Sequence, residues 1–150
     1  MDGVQKDPIK RLGVFIGEWR LGLGRSIPPP DERTPRSVFE WALDGQFLVQ
    51  RTHIPEPNVP DSLSIVAYDP SSQGYTQHYF DSRGIVRVYA MSFLDGAWTL
   101  RREKPDFTAL DFKQRFIGRF DFDGKAIFGT WEIDDGSGWR KDFDLTYARV

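Results

Sequence analysis

The sequence predicts an all-β fold, an antiparallel up-and-down β-barrel of about ten strands with a short N-terminal helix. Aromatic residues are abundant, with twelve Phe, five Trp and five Tyr among 150 residues, and aromatic side chains favour the pleated surface of a sheet. Tight-turn signals recur between the aromatic runs: Asp44-Gly45, Asp95-Gly96 and Asp123-Gly124 each separate two stretches of alternating residues. Such a pair is a strong hairpin signal, because a type I′ turn needs positive φ at both central residues. Only one segment, near the N-terminus, carries a helical pattern. A two-sheet sandwich is the alternative arrangement. A barrel of about ten strands is wider than side chains alone fill, so a ligand cavity is expected inside it.

Asp7 to Ile16 reads as the helix, with Asp7 as its cap, Pro8 at the first helical position, and Ile9, Leu12 and Ile16 on one face. Gly17 ends it, and Trp19, Leu21 and Leu23 alternate along a first strand. Ile27 to Pro35 is a Pro-rich loop that cannot enter a ladder. Around Asp44-Gly45, the inward face takes Phe39, Trp41, Leu43, Leu48, Gln50 and Thr52. Phe47 and Val49 on the other face imply that it too is partly covered, by the helix or by a partner subunit. Pro55 to Ser62 is a second Pro-rich loop, followed by the strand Leu63 to Asp69.

His78 to Arg102 is the centre of a meander. The Asp95-Gly96 turn sets Leu94 opposite Ala97, so Arg87, Tyr89, Met91 and Phe93 share a side with Trp98, Leu100 and Arg102. With Ser82-Arg83 or Arg83-Gly84 as the preceding turn, Thr76, His78 and Phe80 join that side. Beyond a breaker at Pro105-Asp106, Ala109 to Phe122 reads as one long strand with Phe112, Gln114, Phe116, Gly118, Phe120 and Phe122 in line. The Asp123-Gly124 turn then places Phe120 opposite Ile127, Phe116 opposite Trp131 and Gln114 opposite Ile133. In the final strand Trp139, Phe143, Leu145 and Tyr147 alternate with polar residues.

The length suits a single domain, long enough to bury a core without disulfides or structural metal. The absence of cysteine rules out a disulfide framework and thiolate chemistry. A net charge of −2 gives no global attraction for phosphate backbones, so nucleic acid is not an expected partner. The N-terminal stretch has charges at Asp2, Lys6 and Asp7 and no apolar run of signal-peptide length, and no segment has bilayer-spanning character. A cytoplasmic protein with no membrane partner is the expectation.

Three segments, LGVFIGEW at 12–19, FEWALDGQFLVQR at 39–51 and YFDSRGIVRVYAMS at 79–92, resemble uncharacterised bacterial proteins of the lipocalin-like (calycin) group. That group is more distantly similar to nitrobindins and intracellular fatty-acid-binding proteins. The resemblance implies a closed or nearly closed barrel, with Trp19 near its closed end and a cavity for an apolar ligand or cofactor. Nitrobindins hold haem through a histidine on a strand near the C-terminus. The corresponding strand, Arg140 to Val150, has no histidine, so no cofactor is expected and haem least of all. Fatty-acid-binding proteins hold a carboxylate with an Arg-x-Tyr pair; Tyr147-Ala-Arg149 reverses that order, with both residues still on one side.

The best candidate for a binding site gathers His78, Arg87, Tyr89, Trp98 and Arg102, a cationic patch with aromatic walls that suits an anionic head group on an apolar body. Met91, Phe116, Phe120 and Trp131 would supply apolar wall, and Gln114 and Tyr147 polar contacts. Against this stands the reading in which the arginines pair with acids at the barrel rim and pack their stems on aromatics. His53 and His78 lack the further ligands of a zinc site. Asp134-Asp135 and the Asp121/Asp123 pair belong to turns, and no serine lies in a nucleophile elbow. The function expected is non-catalytic binding of a small lipophilic or amphipathic molecule. The alternatives are a cyclase, isomerase or hydrolase using Tyr89 or His78 as acid and base, and a homodimer formed through Val86, Val88 and Ala90.

Overall fold

Alternating residues around Asp-Gly turns give antiparallel ladders. A computed structural model describes residues 7–31 and 33–150; Asp2 and Lys6 of the N-terminal stretch and Glu32 of the first Pro-rich loop lie outside these. Among the described residues there are ten strands: β1 (Gly17–Leu23), β2 (Arg36–Ala42), β3 (Phe47–His53), β4 (Ser62–Asp69), β5 (Gly74–Asp81), β6 (Val86–Leu94), β7 (Ala97–Arg102), β8 (Lys113–Phe120), β9 (Ala126–Asp134) and β10 (Arg140–Arg149). Each pairs with its neighbour in sequence, and β10 pairs with β1, so the sheet closes into a barrel without a free edge. The three Asp-Gly hairpins have the register their turns require: Phe39 faces Gln50, Leu94 faces Ala97 and Phe116 faces Trp131.

Departures from the sequence reading have local causes. The N-terminal helix is a 3-10 helix, Pro8–Phe15. Its three residues per turn bring Ile9, Leu12 and Phe15 onto the buried side in place of Ile9, Leu12 and Ile16. Asp7 starts it through its carbonyl, which accepts from Lys10 N at 3.0 Å, and its side chain makes no cap. Strand β8 begins only at Lys113, because residues 109–112 belong to a loop. Phe122 sits in the β8–β9 turn, fully exposed, and not on the inner face. Leu43 is likewise a turn residue with its side chain in solvent.

The helix stops one end of the barrel. Phe15 is completely buried, its ring 5.2 Å from Phe39, 5.2 Å from Phe93, 5.0 Å from Trp98 and 5.2 Å from Phe120. The last three meet Phe15 edge-on, and aromatic pairs of this kind add about 0.5–1.5 kcal/mol each beyond their area. Trp19, also fully buried, donates its indole N–H to Phe15 O at 2.8 Å. Arg149 of β10 stacks on the Trp19 ring at 4.1 Å and donates to Ile16 O at 2.7 Å and to Val14 O. The β1–β10 seam and the helix are thereby fastened to each other. Among the described residues, no helix is long and apolar enough to cross a membrane.

Candidate functional site

Between this floor and the loops at the opposite end lies a cavity of about 730 Å³. Inward residues of β7 to β10 line one side of it with Trp98, Leu100, Phe116, Trp131, Leu145 and Tyr147. On β3 to β5 the alternation places Gln50, Thr52, Ser62, Ser64, Gln77 and Tyr79 inward. Pro28, Pro29 and Pro35 of the first Pro-rich loop, with Ile54 and Val59 of the second, frame the mouth. The charged lining residues, Asp31, Arg33 and Glu56, all belong to these two loops.

Two glycines help to keep the space open. Gly118 of β8 faces Gly129 of β9, and the Phe116 ring lies across both. A Cβ on Gly118 would stand 2.9 Å from that ring, and one on Gly129 would meet its Cζ at 2.5 Å. Backed onto the bare sheet, Phe116 stays between Trp98, 4.9 Å away, and Trp131, 5.1 Å away.

The polar wall is partly satisfied. Gln50 Nε2 donates to Ser37 Oγ at 2.9 Å and, more weakly, to Tyr147 OH at 3.4 Å. Ser37 and Thr52 share a hydroxyl hydrogen bond of 2.9 Å. Burial pushes the Tyr147 phenol up to about 12, with the Gln50 contact opposing. Tyr79 OH donates to Asp81 Oδ2 at 2.9 Å, and burial, reinforced by that carboxylate, raises its phenol well above the ordinary range. Both phenols are therefore protonated donors at neutral pH. Among the described residues, two buried atoms on lining side chains have no partner, Gln77 Oε1 and Trp98 Nε1.

Four residues singled out from the sequence, Trp98, Phe116, Trp131 and Tyr147, line the cavity. Tyr89 and Met91 face inward but are buried in the wall. The Tyr89 ring packs against Tyr79 at 6.4 Å and Trp131 at 5.8 Å, and its hydroxyl donates to Gln114 Oε1 at 3.0 Å. Arg87 does not reach the cavity; its guanidinium sits 5.8 Å over the Phe112 ring. Arg149, the partner of Tyr147 in the reversed motif, is engaged at the floor.

Arg102 is a rim pair and not a head-group contact. Its side chain is almost wholly covered and grips Asp106 with two bonds of 2.9 Å, while Nη2 also donates to Thr108 O at 2.8 Å. Asp106 accepts further bonds from Val88 N and Thr108 N. The Arg102 hydrogen bond holds its carboxyl far below the usual carboxylate range, against the opposing effect of burial. A buried pair this fully bonded has no vacancy for an anion. The partner lies four residues beyond the arginine, in the loop that the Pro105-Asp106 breaker opens.

His78 lies on the outside of the barrel. It pairs with Val88, while Gln77 faces Tyr89 and Tyr79 faces Arg87. The cause is the odd loop Asp81–Ile85. Asp81 O accepts from Gly84 N at 2.9 Å, and Gly84 has φ of +84°. This turn leaves one more residue between the strands than a two-residue hairpin and exchanges the faces of β5. Gln77 and Tyr79 are thus the cavity residues that even-loop arithmetic puts outside. The other histidine, His53, is exposed and bonded to Asp61 at 3.0 Å. Among the described residues, no three His, Cys, Asp or Glu side chains cluster to hold a metal ion.

The barrel superposes on the crystal structure of Rv2717c from M. tuberculosis with a TM-score of 0.60 over 95% of this chain and 97% of that one, at 15% sequence identity. The likeness is one of fold. No protein-family model matches the sequence, and no curated protein does.

Proposed function

We propose that this barrel binds a small lipophilic molecule in its cavity and performs no chemistry on it. The carrying observation is a space of about 730 Å³ with an apolar, aromatic wall on one side, within the size range of small-molecule sites. A guest burying about 300 Å² of apolar surface gains roughly 7 kcal/mol from desolvation, before the cost of association is subtracted. The charged lining residues are confined to the mouth loops and Arg102 is bound to Asp106, so the enclosed part of the guest is uncharged. An anionic head group on Arg87 and Arg102 loses its support, and so does acid/base catalysis by Tyr89 and His78, since neither residue lines the cavity.

Nile red, a neutral lipophilic dye, tests this reading. Its emission should rise and shift to the blue with the purified protein. Ser64→Phe, which puts a ring into the cavity from a buried lining position, should abolish the response while preserving the far-ultraviolet circular dichroism. An equal response from the folded variant would place the dye elsewhere and refute the reading.

A further inference from the structure

The cavity has two unlike sides, and their placement carries information about its guest. Polar, uncharged side chains come from three consecutive strands: Gln50 on β3, Ser64 on β4 and Gln77 on β5. Gln50 is paired directly with Ser64 and Ser64 with Tyr79, and Gln77 stands one inward position from Tyr79 on β5. Trp131 and Phe116 come from β9 and β8. In the ten-strand closure β4 and β9 are five strands apart in either direction, so the polar row and the aromatic wall face each other across the lumen. Gln77, 4% exposed, has an Oε1 with no partner, and so does the Nε1 of Trp98, 2% exposed. Neither atom has surface open to the lumen, so a guest meets the Gln77 amide by turning it inward, a movement that the cost of leaving a buried polar atom unpaired favours.

We infer that the guest is an uncharged, facially amphipathic ring system, with hydroxyl groups along one face and hydrocarbon on the other. The hydroxyl face bonds the Gln50, Ser64 and Gln77 side chains, with one O–H donated to Gln77 Oε1 once that amide turns toward the lumen, and the hydrocarbon face lies on Phe116 and Trp131. A flexible single-chain fatty acid fits less well, because it has no second polar face and, among the described residues, the one cation on the cavity lining, Arg33, stands at the mouth and not beside the polar row. The inference rests on the cavity being a binding site, and the experiment separates the two.

Three probes are titrated into the full chain by isothermal calorimetry: methyl cholate, with three hydroxyls on one face, methyl lithocholate, with one, and palmitate. Methyl cholate should bind at least about fivefold tighter than methyl lithocholate, since each of its two further hydroxyls regains a hydrogen bond worth roughly two- to twelvefold, and palmitate should bind more weakly still. Gln77→Leu should lower the preference between the two esters by about two- to twelvefold and raise the urea midpoint of the free protein, because it removes one of the bonding partners and an unpaired buried acceptor. Equal affinity for both esters, or tightest binding of palmitate, overturns the facial inference and leaves the lipophilic site standing. No binding of any probe, together with no Nile red response, overturns both.

Discussion

Replacing Gly129 by Ala tests whether the cavity depends on the bare patch behind Phe116. The new Cβ would meet Phe116 Cζ at 2.5 Å, whereas non-bonded carbons settle at about 3.5–4.0 Å. The ring must therefore give way by about 1 Å. Leu145 O stands 3.2 Å from the same Cβ position, so the methyl cannot evade the ring by backing away. Trp98 and Trp131 flank the ring, which leaves the lumen as its free direction. Overpacking of this kind costs about 1–3 kcal/mol, or a fall in melting temperature of about 2–4 °C per kcal/mol for a domain of this size. Urea denaturation at constant m-value measures the loss, and Nile red affinity should fall with it. Adding Phe116→Leu should return part of the stability, because the strained contact disappears with the ring. Strict additivity of the two substitutions would falsify the argument, since it would mean that methyl and ring never met.

Two further perturbations address the mouth. Asp106→Asn leaves the buried Arg102 charge without its counter-ion and should cost about 3–5 kcal/mol in urea or thermal unfolding; a cost below about 1 kcal/mol would show that Arg102 reaches solvent. Asp81 supplies a pH signature. Burial opposes its ionisation, but the bonds from Arg83 and Tyr79 prevail and bring its pKa from 3.8 to about 2. A depressed folded value stabilises the fold above the unfolded pKa and ceases to do so as pH falls through the folded one. Asp106 is shifted in the same direction. The urea midpoint should be flat above about pH 5 and decline between about pH 4 and 2. Asp81→Asn should make that decline shallower, and an unchanged slope would remove Asp81 from the account.

Where a turn's residues state its length, the sequence was readable down to register. Asp44-Gly45, Asp95-Gly96 and Asp123-Gly124 each specify a hairpin, and from them the inward positions of Phe39, Trp98, Phe116 and Trp131 follow. The β5–β6 loop departs from the even-length expectation for a physical reason. Asp81-Ser82-Arg83-Gly84 has Asp at the first and Gly at the fourth position, the preference of a type I turn ending in a left-handed glycine, and that turn adds a residue. The signal was present and would have brought Gln77 and Tyr79 inside and turned His78 out. The fate of Arg102 was less legible, because the carboxylate that neutralises it comes from an irregular loop. Phe15 replaced Ile16 in the core because one pattern of apolar residues serves both helical periods, and only packing beneath the barrel selects the tighter.

Arg149 ties the two ends of the chain's path into one lock: it stacks on Trp19, binds the carbonyls of Val14 and Ile16, and stands in the ladder that joins the last strand to the first. Lifting the floor would break the side-chain bonds of Arg149 to Val14 and Ile16 and expose the buried rings of Phe15 and Trp19. The vessel therefore has a single working end. The open end lies between the two proline-rich loops, and on the proposed reading a guest would enter and leave there, at the end away from the aromatic floor.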